Sequence, residues 1–320
     1  MVRGFATGVA QDTAGNPLIE QDEYRQIQTD RGFSGIAVYP FSRTNRIEVS
    51  SGLRQITGKT DVTTRLYDYY SGQQLSQDTT RLSTFPTLNL GIASSAYVHD
   101  TSIFGATSPI RGSRYRLEYD QTYDLGKRSS TTLSGGTADS LTYGSVLADY
   151  RTYVMPVRPF TVALRGLYYG RYGAGADSTL LTPVFIGYPD LVRGYDYGSF
   201  TASECGVTAD GSCPAFDRLI GSRMLVANAE LRFPPWGAFG GGSFYGPLPI
   251  ELGVFADAGA AWDRGRSLHW SGPNRDFVRS VGAVARVNVL GFAVAEIDYV
   301  RPLDRLGRGW MWEFNLRPGF

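Results

Sequence analysis

The stretch Ser113-Arg114-Tyr115-Arg116-Leu117-Glu118-Tyr119-Asp120-Gln121-Thr122-Tyr123-Asp124-Leu125 decides how this chain folds. Tyr115, Leu117, Tyr119, Tyr123 and Leu125 fall on one side of an extended backbone. Arg114, Arg116, Glu118, Asp120 and Asp124 fall on the other. Successive side chains of a strand point to opposite faces, so a period of two predicts a strand with one apolar and one charged face.

The pattern recurs along the chain. Ile47, Val49 and Leu53 oppose Arg46, Glu48 and Arg54. Ile250, Leu252, Val254, Ala256, Ala258 and Ala260 oppose Glu251, Asp257 and Asp263. At the end, Trp310, Trp312, Phe314, Leu316 and Phe320 oppose Glu313, Asn315 and Arg317. A soluble sandwich strand also alternates, with its apolar face inward. Soluble strands, however, average ~5–6 residues, whereas a tilted membrane strand needs ~9–11. Segments this long, with charges opposite Leu, Val and Tyr, predict a polar lumen and a lipid-facing exterior.

The predicted fold is therefore all-β, an antiparallel transmembrane β-barrel of about twelve strands. The predicted segments are 2–10, 24–40, 45–57, 84–98, 113–125, 140–155, 159–172, 220–234, 248–262, 278–289, 292–302 and 309–320. Short connections (42–45, 156–159, 290–291) alternate with long ones (58–83, 127–139, 173–219, 263–277). Connections near 99–112 and 235–247 fall on the short side but exceed a tight turn. Short turns face the periplasm in such barrels, so both termini are expected there, in a bacterial outer membrane. Tyr39, Phe41, Phe160, Phe233 and Trp236 cluster at one predicted rim; Tyr123, Tyr168, Tyr172 and Trp262 cluster at the other. Residues 1–320 form one predicted barrel domain, with 173–219 as an internal plug and no periplasmic domain.

Composition agrees. Among 320 residues there are 39 Gly, 20 Tyr and 17 Phe, a mix that suits strands and turns. A net charge of +1 gives no footprint for nucleic acid. The best candidate for a membrane helix, Ser280 to Ile297, contains Arg286, Asn288 and Glu296 and alternates with period two. Met1-Val2-Arg3 leads straight into strand-like sequence, as in a mature form or a fragment given a new start.

Little points to catalysis. The two histidines, His99 and His269, fall in connections on opposite sides of the predicted barrel. A hydrolase triad needs its groups within hydrogen-bond reach, so no enzyme activity is expected. No cofactor or metal is expected either, because Cys205 and Cys213 have no third or fourth ligand nearby. Those cysteines read as a local disulfide in an oxidising compartment, or as two free thiols.

The longest irregular stretch, from about Gly173 to Leu219, contains Leu191-Val192-Arg193-Gly194-Tyr195. A loop this long in a compact domain usually has a function. Glu230 and Asp257 point to the predicted lumen on neighbouring strands. A loop folded inward would bring Arg193 to them, and a planar guanidinium can engage carboxylates bidentately. Three separately solvated lumen charges fit the spacing equally well.

Val192-Arg193-Gly194-Tyr195 resembles the inward-folded loop signature of the BamA/TamA-type outer-membrane insertase and translocase superfamily, the bacterial surface antigen family. Asn228 to Pro234, Phe255-Ala256-Asp257-Ala258-Gly259, Ile297-Asp298-Tyr299 and a last strand ending in Phe320 resemble the family's following strands. The likeness covers roughly 140–320. Tyr39-Pro40-Phe41-Ser42 and Arg46-Ile47-Glu48 look like the subgroup whose barrel follows a TolB-like propeller.

The resemblance implies that Val192, Arg193, Gly194 and Tyr195 form a latch, with Asp257 and Glu230 as partners. It implies that Trp312, Phe314 and Phe320 form a C-terminal assembly signal. It further implies the outer-membrane assembly machinery and client outer-membrane proteins as partners; a monomer in a lipid bilayer is the expected state. Activity in this superfamily is linked to a weak seam between first and last strands. Family barrels have sixteen strands, so a chain of about twelve looks N-terminally shortened. A passive channel or membrane anchor is the other function the sequence allows.

Overall fold

The computed structural model describes residues 2–11, 16–126, 141–178, 181–205, 213–239, 244–246, 248–269 and 276–318. Fifteen strands lie among them. The first seven are β1 (Val2–Gln11), β2 (Pro17–Pro40), β3 (Asn45–Asp68), β4 (Gln74–Asp100), β5 (Ile103–Phe104), β6 (Pro109–Asp124) and β7 (Tyr143–Val157). The rest are β8 (Phe160–Tyr172), β9 (Val184–Phe185), β10 (Ile220–Gly221), β11 (Arg223–Phe233), β12 (Ile250–Trp262), β13 (Val278–Val289), β14 (Ala293–Pro302) and β15 (Met311–Pro318). Three short helices, α1 (Ala202–Cys205), α2 (Pro214–Asp217) and α3 (Pro235–Phe239), sit in connections.

Twelve strands form one path, β1-β2-β3-β4-β6-β7-β8-β11-β12-β13-β14-β15. They match the twelve alternating segments one for one. Strand β5 pairs with β6 off this path, and β9 with β10 forms a separate two-stranded sheet. Each strand of the path pairs with its neighbour in the chain, the arrangement of a meander.

The chain divides into two compact units. The first comprises 1–35, 51–93 and 122–138. Here β1 pairs with the first ten residues of β2, from Gln11↔Pro17 to Val2↔Gln26. Arg54 forks onto Asp30, and Arg65 reaches Glu23 at 2.9 Å. Strands β3 and β4 run through much of the expected loop 58–83, leaving only a tight turn at 69–73. Asp68 fixes that turn by accepting hydrogen bonds from the backbone N–H groups of Tyr70 and Ser71 at 3.1 and 2.7 Å. The sequence concealed these strand ends because Lys59, Thr60, Asp61, Thr63, Thr64 and Arg65 put polar groups on both faces. At 24 residues β3 exceeds the ~9–11 that a bilayer crossing needs, so it need not keep an apolar face throughout. The expected connection 127–139 lies outside the described residues.

The second unit comprises 36–50, 94–121 and 139–320. Its strands are inverted relative to soluble ones. Along β12, Glu251, Phe255 and Asp257 are buried, while Leu252 and Val254 are exposed. Along β14, Glu296 and Asp298 are buried, while Ile297 and Tyr299 are exposed. On β15, Trp312, Phe314 and Leu316 are 62–74% exposed, while Glu313 is 9%. Carboxylates inside and large apolar groups outside make sense only if the outer solvent is lipid.

The described residues of the loop from 173 to 222 pack against the inward face. It contains order the sequence did not announce: the β9–β10 pair, α1, α2 and a 3-10 turn at Tyr197–Ser199. Ile186, Leu191, Val192, Tyr195 and Leu219 of the loop bury against Leu167, Val226, Ala261 and Val278 of the strands. Burying a Val, Leu or Ile side chain contributes ~1.5–3 kcal/mol, so this apolar set is what holds the loop in. The Cys205–Cys213 disulfide is present within the loop.

Candidate functional site

Leu191 to Tyr195 crosses the inward faces of β11 to β15. Strand register sets the receiving groups. Asn228 on β11 faces Asp257 on β12, and Glu230 faces Phe255. All four side chains therefore lie on one face, one turn of the pleat apart.

Arg193 is 5% exposed and sits among them. Its Nε donates to Asp257 Oδ2 at 2.8 Å and its Nη2 to Asp257 Oδ1 at 2.9 Å. Nη1 reaches Glu230 Oε2 at 3.3 Å and Asp298 Oδ1 at 3.4 Å. The guanidinium lies 3.3 Å from the centre of the Phe255 ring. A two-armed fork on one carboxylate, stacked on an aromatic face, uses what distinguishes arginine from lysine. Asn228 Nδ2 ties the pair to the loop, donating to Asp257 Oδ1 at 2.8 Å and to the Leu191 carbonyl at 2.7 Å.

The neighbours of Arg193 fix the backbone. Gly194 has φ +89°, and a Cβ there would stand 3.2 Å from Pro302 and Val300. Glycine meets both demands. Its N–H donates to Glu313 Oε1 at 2.9 Å, so the loop is bonded to β15, the last strand of the path. The Val192 side chain is fully buried, and Gly259 makes room for it: a Cβ on Gly259 would lie 2.7 Å from Val192 Cγ2. The Tyr195 hydroxyl donates to the Arg279 carbonyl at 2.8 Å, and burial pushes its pKa up to about 12.

A second arginine clamps the loop from the connection between β14 and β15. Arg305 donates to the Gly194 carbonyl at 2.7 Å, to Ser199, and to both oxygens of Glu204 at 2.8 and 3.0 Å. It also lies over Phe200 at 4.0 Å. The Arg305 hydrogen bond holds the Glu204 carboxyl down at about 2.

Beneath the latch the ionic network continues. Arg286 on β13 bonds Glu230 and Glu296, and reaches Glu251 at 3.2 Å. Glu251 in turn accepts the Ser108 hydroxyl at 2.8 Å. The buried pair Thr107–Ser108, in the connection between β5 and β6, thus meets the lumen charges from the end opposite the loop.

Of the residues singled out in the sequence, Val192, Arg193, Gly194, Tyr195, Glu230 and Asp257 come together here. Trp312 and Phe314 lie apart, on the outer face of β15; Phe320 lies outside the described residues. Sequence reasoning missed Phe255, Arg286, Glu296, Glu313 and Arg305 as members of the set. Parity could have found three of them, since Glu296 and Arg286 alternate with apolar residues and Glu313 alternates with Trp312 and Phe314. Phe255 breaks the polar-inside pattern, and Arg305 sits in a connection where parity has no meaning. His99, next to the end of β4, donates its Nδ1–H to Asn45 Oδ1 at 2.6 Å and stacks on Tyr115, while His269 sits beside Asp276.

Comparison with known proteins gives a consistent result. The Omp85 superfamily domain matches residues 10–307. Among solved structures, BamA from Haemophilus ducreyi lacking POTRA domains 1–3 aligns over 98% of this chain and 69% of its own. The TM-score is 0.52 and the identity 14%, which establishes a likeness of barrel fold. No curated protein matches the sequence.

Proposed function

The chain belongs to the Omp85 superfamily, and on that premise we propose that it assembles or translocates outer-membrane proteins by opening beside its last strand and disturbing the local bilayer. Membership makes it an insertase- or translocase-type barrel of the bacterial outer membrane, in a superfamily that is not one of enzymes. Within this reading, Val192 to Tyr195 form a latch that couples the lumen loop to the strand that must move. The bond from Gly194 N–H to Glu313 of β15 carries the reading. A plug independent of the seam would need no tie to the last strand.

Trp312 and Phe314 face outward on that strand, where the assembly machinery would read them along with Phe320. The connections at 41–44, 158–159 and 290–292 face the periplasm, and the end of β15 faces it too. The loop enters from the outside.

The test is folding of a client barrel into liposomes that contain this protein, with periplasmic partners supplied. Acceleration over empty liposomes is expected, and Glu313→Gln should change its extent. No acceleration under any of these conditions would overturn the proposal.

One observation favours a passive anchor instead. The ionic network and the Ser108–Glu251 contact occupy the inward face of β11 to β13 and tie the loop and the β5–β6 connection to it. A silent barrel in planar bilayers that also fails to accelerate folding would support the anchor.

A further inference from the structure

We propose that Asp298 and Glu313 bind one proton between them, and that this proton fastens β15 to β14. The two carboxyls are direct partners across the β14–β15 pairing, Asp298↔Glu313. Directly opposed side chains of an antiparallel pair have Cβ atoms ~4.5–5.5 Å apart, so the two groups share one site. Asp298 is fully buried and Glu313 nearly so. Asp298 Oδ2 and Glu313 Oε2 are both buried without a hydrogen-bond donor. On its other side Asp298 is flanked by Val284 of β13, which is buried and apolar.

The nearby bases are committed elsewhere. Arg193 turns two arms to Asp257, and its Nη1 is divided between Glu230 at 3.3 Å and Asp298 Oδ1 at 3.4 Å. Arg286 serves Glu230, Glu251 and Glu296, while Arg232 pairs with Glu230 and Arg317 with Glu296. Arg305 is taken by Glu204 and by loop carbonyls. Among the described residues, no arginine or lysine forms an ion pair with Glu313, whose bond comes from the Gly194 N–H. Asp196 of the loop adds a further negative charge near Glu313. The network thus sets six carboxylates (Glu230, Glu251, Asp257, Glu296, Asp298 and Glu313) against four guanidinium groups. The surplus of two falls on the facing pair with the orphan oxygens.

Two carboxylates in one buried site repel strongly when both are ionised, and like charges directly opposite across strands weaken the pairing. One proton removes the repulsion and supplies the missing donor: the O–H of one carboxyl donates to the orphan oxygen of the other. With the proton, β14 and β15 are joined by a charge-assisted hydrogen bond. Without it, they are pushed apart beside the Gly194 bond. The proton belongs to the pair rather than to either residue. Its sign is opposite to that of an ion pair. The contribution is complete below the pair's titration and lost as pH rises through it, whereas Arg193–Asp257 and Arg305–Glu204 weaken as pH falls. The inference concerns the folded barrel alone and does not depend on the insertase reading.

Hydrogen exchange at 311–317 tests it, on the full folded chain in detergent and corrected for the intrinsic rate at each pH. Protection should fall with rising pH by up to about tenfold per pH unit, the signature of one linked proton. Asp298→Asn carries a permanent donor toward Glu313, so it should keep protection high and abolish the slope. Glu313→Gln should do the same from the other strand. Infrared spectra of the unaltered protein should show a protonated-carboxyl carbonyl band that titrates in step with the protection and is missing from both variants. Protection that is flat or rises with pH, or an undiminished slope in folded Asp298→Asn, would overturn the proposal. Should neither variant fold, the infrared titration of the unaltered protein decides: a band in step with the protection supports the shared proton, and no such band overturns it.

Discussion

Replacing Arg193 by alanine removes both arms that reach Asp257 at 2.8 and 2.9 Å. Asp257 is 3% exposed, and it would keep only the Asn228 amide at 2.8 Å and the backbone N–H of residue 193 at 3.3 Å. Stranding one partner of a buried pair costs roughly 3–5 kcal/mol. The retained donors favour the lower end. The lost contact with Phe255 adds to the cost but shares the same side chain, so the two cannot simply be summed. Read as heat-modifiability on a gel, the loss should lower the unfolding temperature by roughly 5 °C. Arg193→Lys keeps the charge without the fork and should fall between wild type and alanine. In an Asp257→Ala background, Arg193→Ala should cost much less than in wild type, because no carboxylate on β12 remains to be stranded. A drop equivalent to less than ~1 kcal/mol would show a solvated pair and refute the reasoning.

Three further outcomes follow from the loop geometry. Gly194→Ala forces a positive φ on alanine and drives its Cβ toward Pro302 and Val300; a cost of about 1–3 kcal/mol should appear as faster proteolysis of residues 173–222. Glu204 has its carboxyl held down at about 2 from an ordinary 4.5. The bond to Arg305 should therefore protect the loop fully above ~4.5 and lose that protection as pH falls toward 2; hydrogen exchange at 196–205 should follow this, and Glu204→Gln should flatten it. Reducing the Cys205–Cys213 bridge, eight residues apart, removes a local constraint of ~2.5 kcal/mol and should loosen the loop while leaving the heat-modifiability of the barrel unchanged.

The sequence made the strands of the second unit legible because lipid outside and charge inside enforce a strict period of two. Asp257 and Glu230 could be placed by parity for the same reason. Where that constraint lapses, so does the reading. The far ends of β3 and β4 are polar on both faces and read as loop, although Asp68 and Gly72 mark their turn. The partners of Arg193 were only partly visible. Phe255 sits among polar lumen residues, and Glu313 sits on a strand whose outer face carries the conspicuous aromatics Trp312 and Phe314. Arg305 gains its meaning only when two loops distant in sequence meet, and Ser108 only when a connection folds inward to Glu251.

The central claim is that Val192 to Tyr195 lie inside the lumen against β12. Val192→Cys with Gly259→Cys tests it directly, in a background lacking Cys205 and Cys213. Val192 Cγ2 stands 2.7 Å from where a Cβ on residue 259 would be, within reach for a disulfide. The account predicts near-complete crosslinking in the folded barrel without added catalyst, slowed by Arg193→Ala. An uncrosslinked pair in a folded barrel, with both thiols reactive to a water-soluble maleimide, would contradict it.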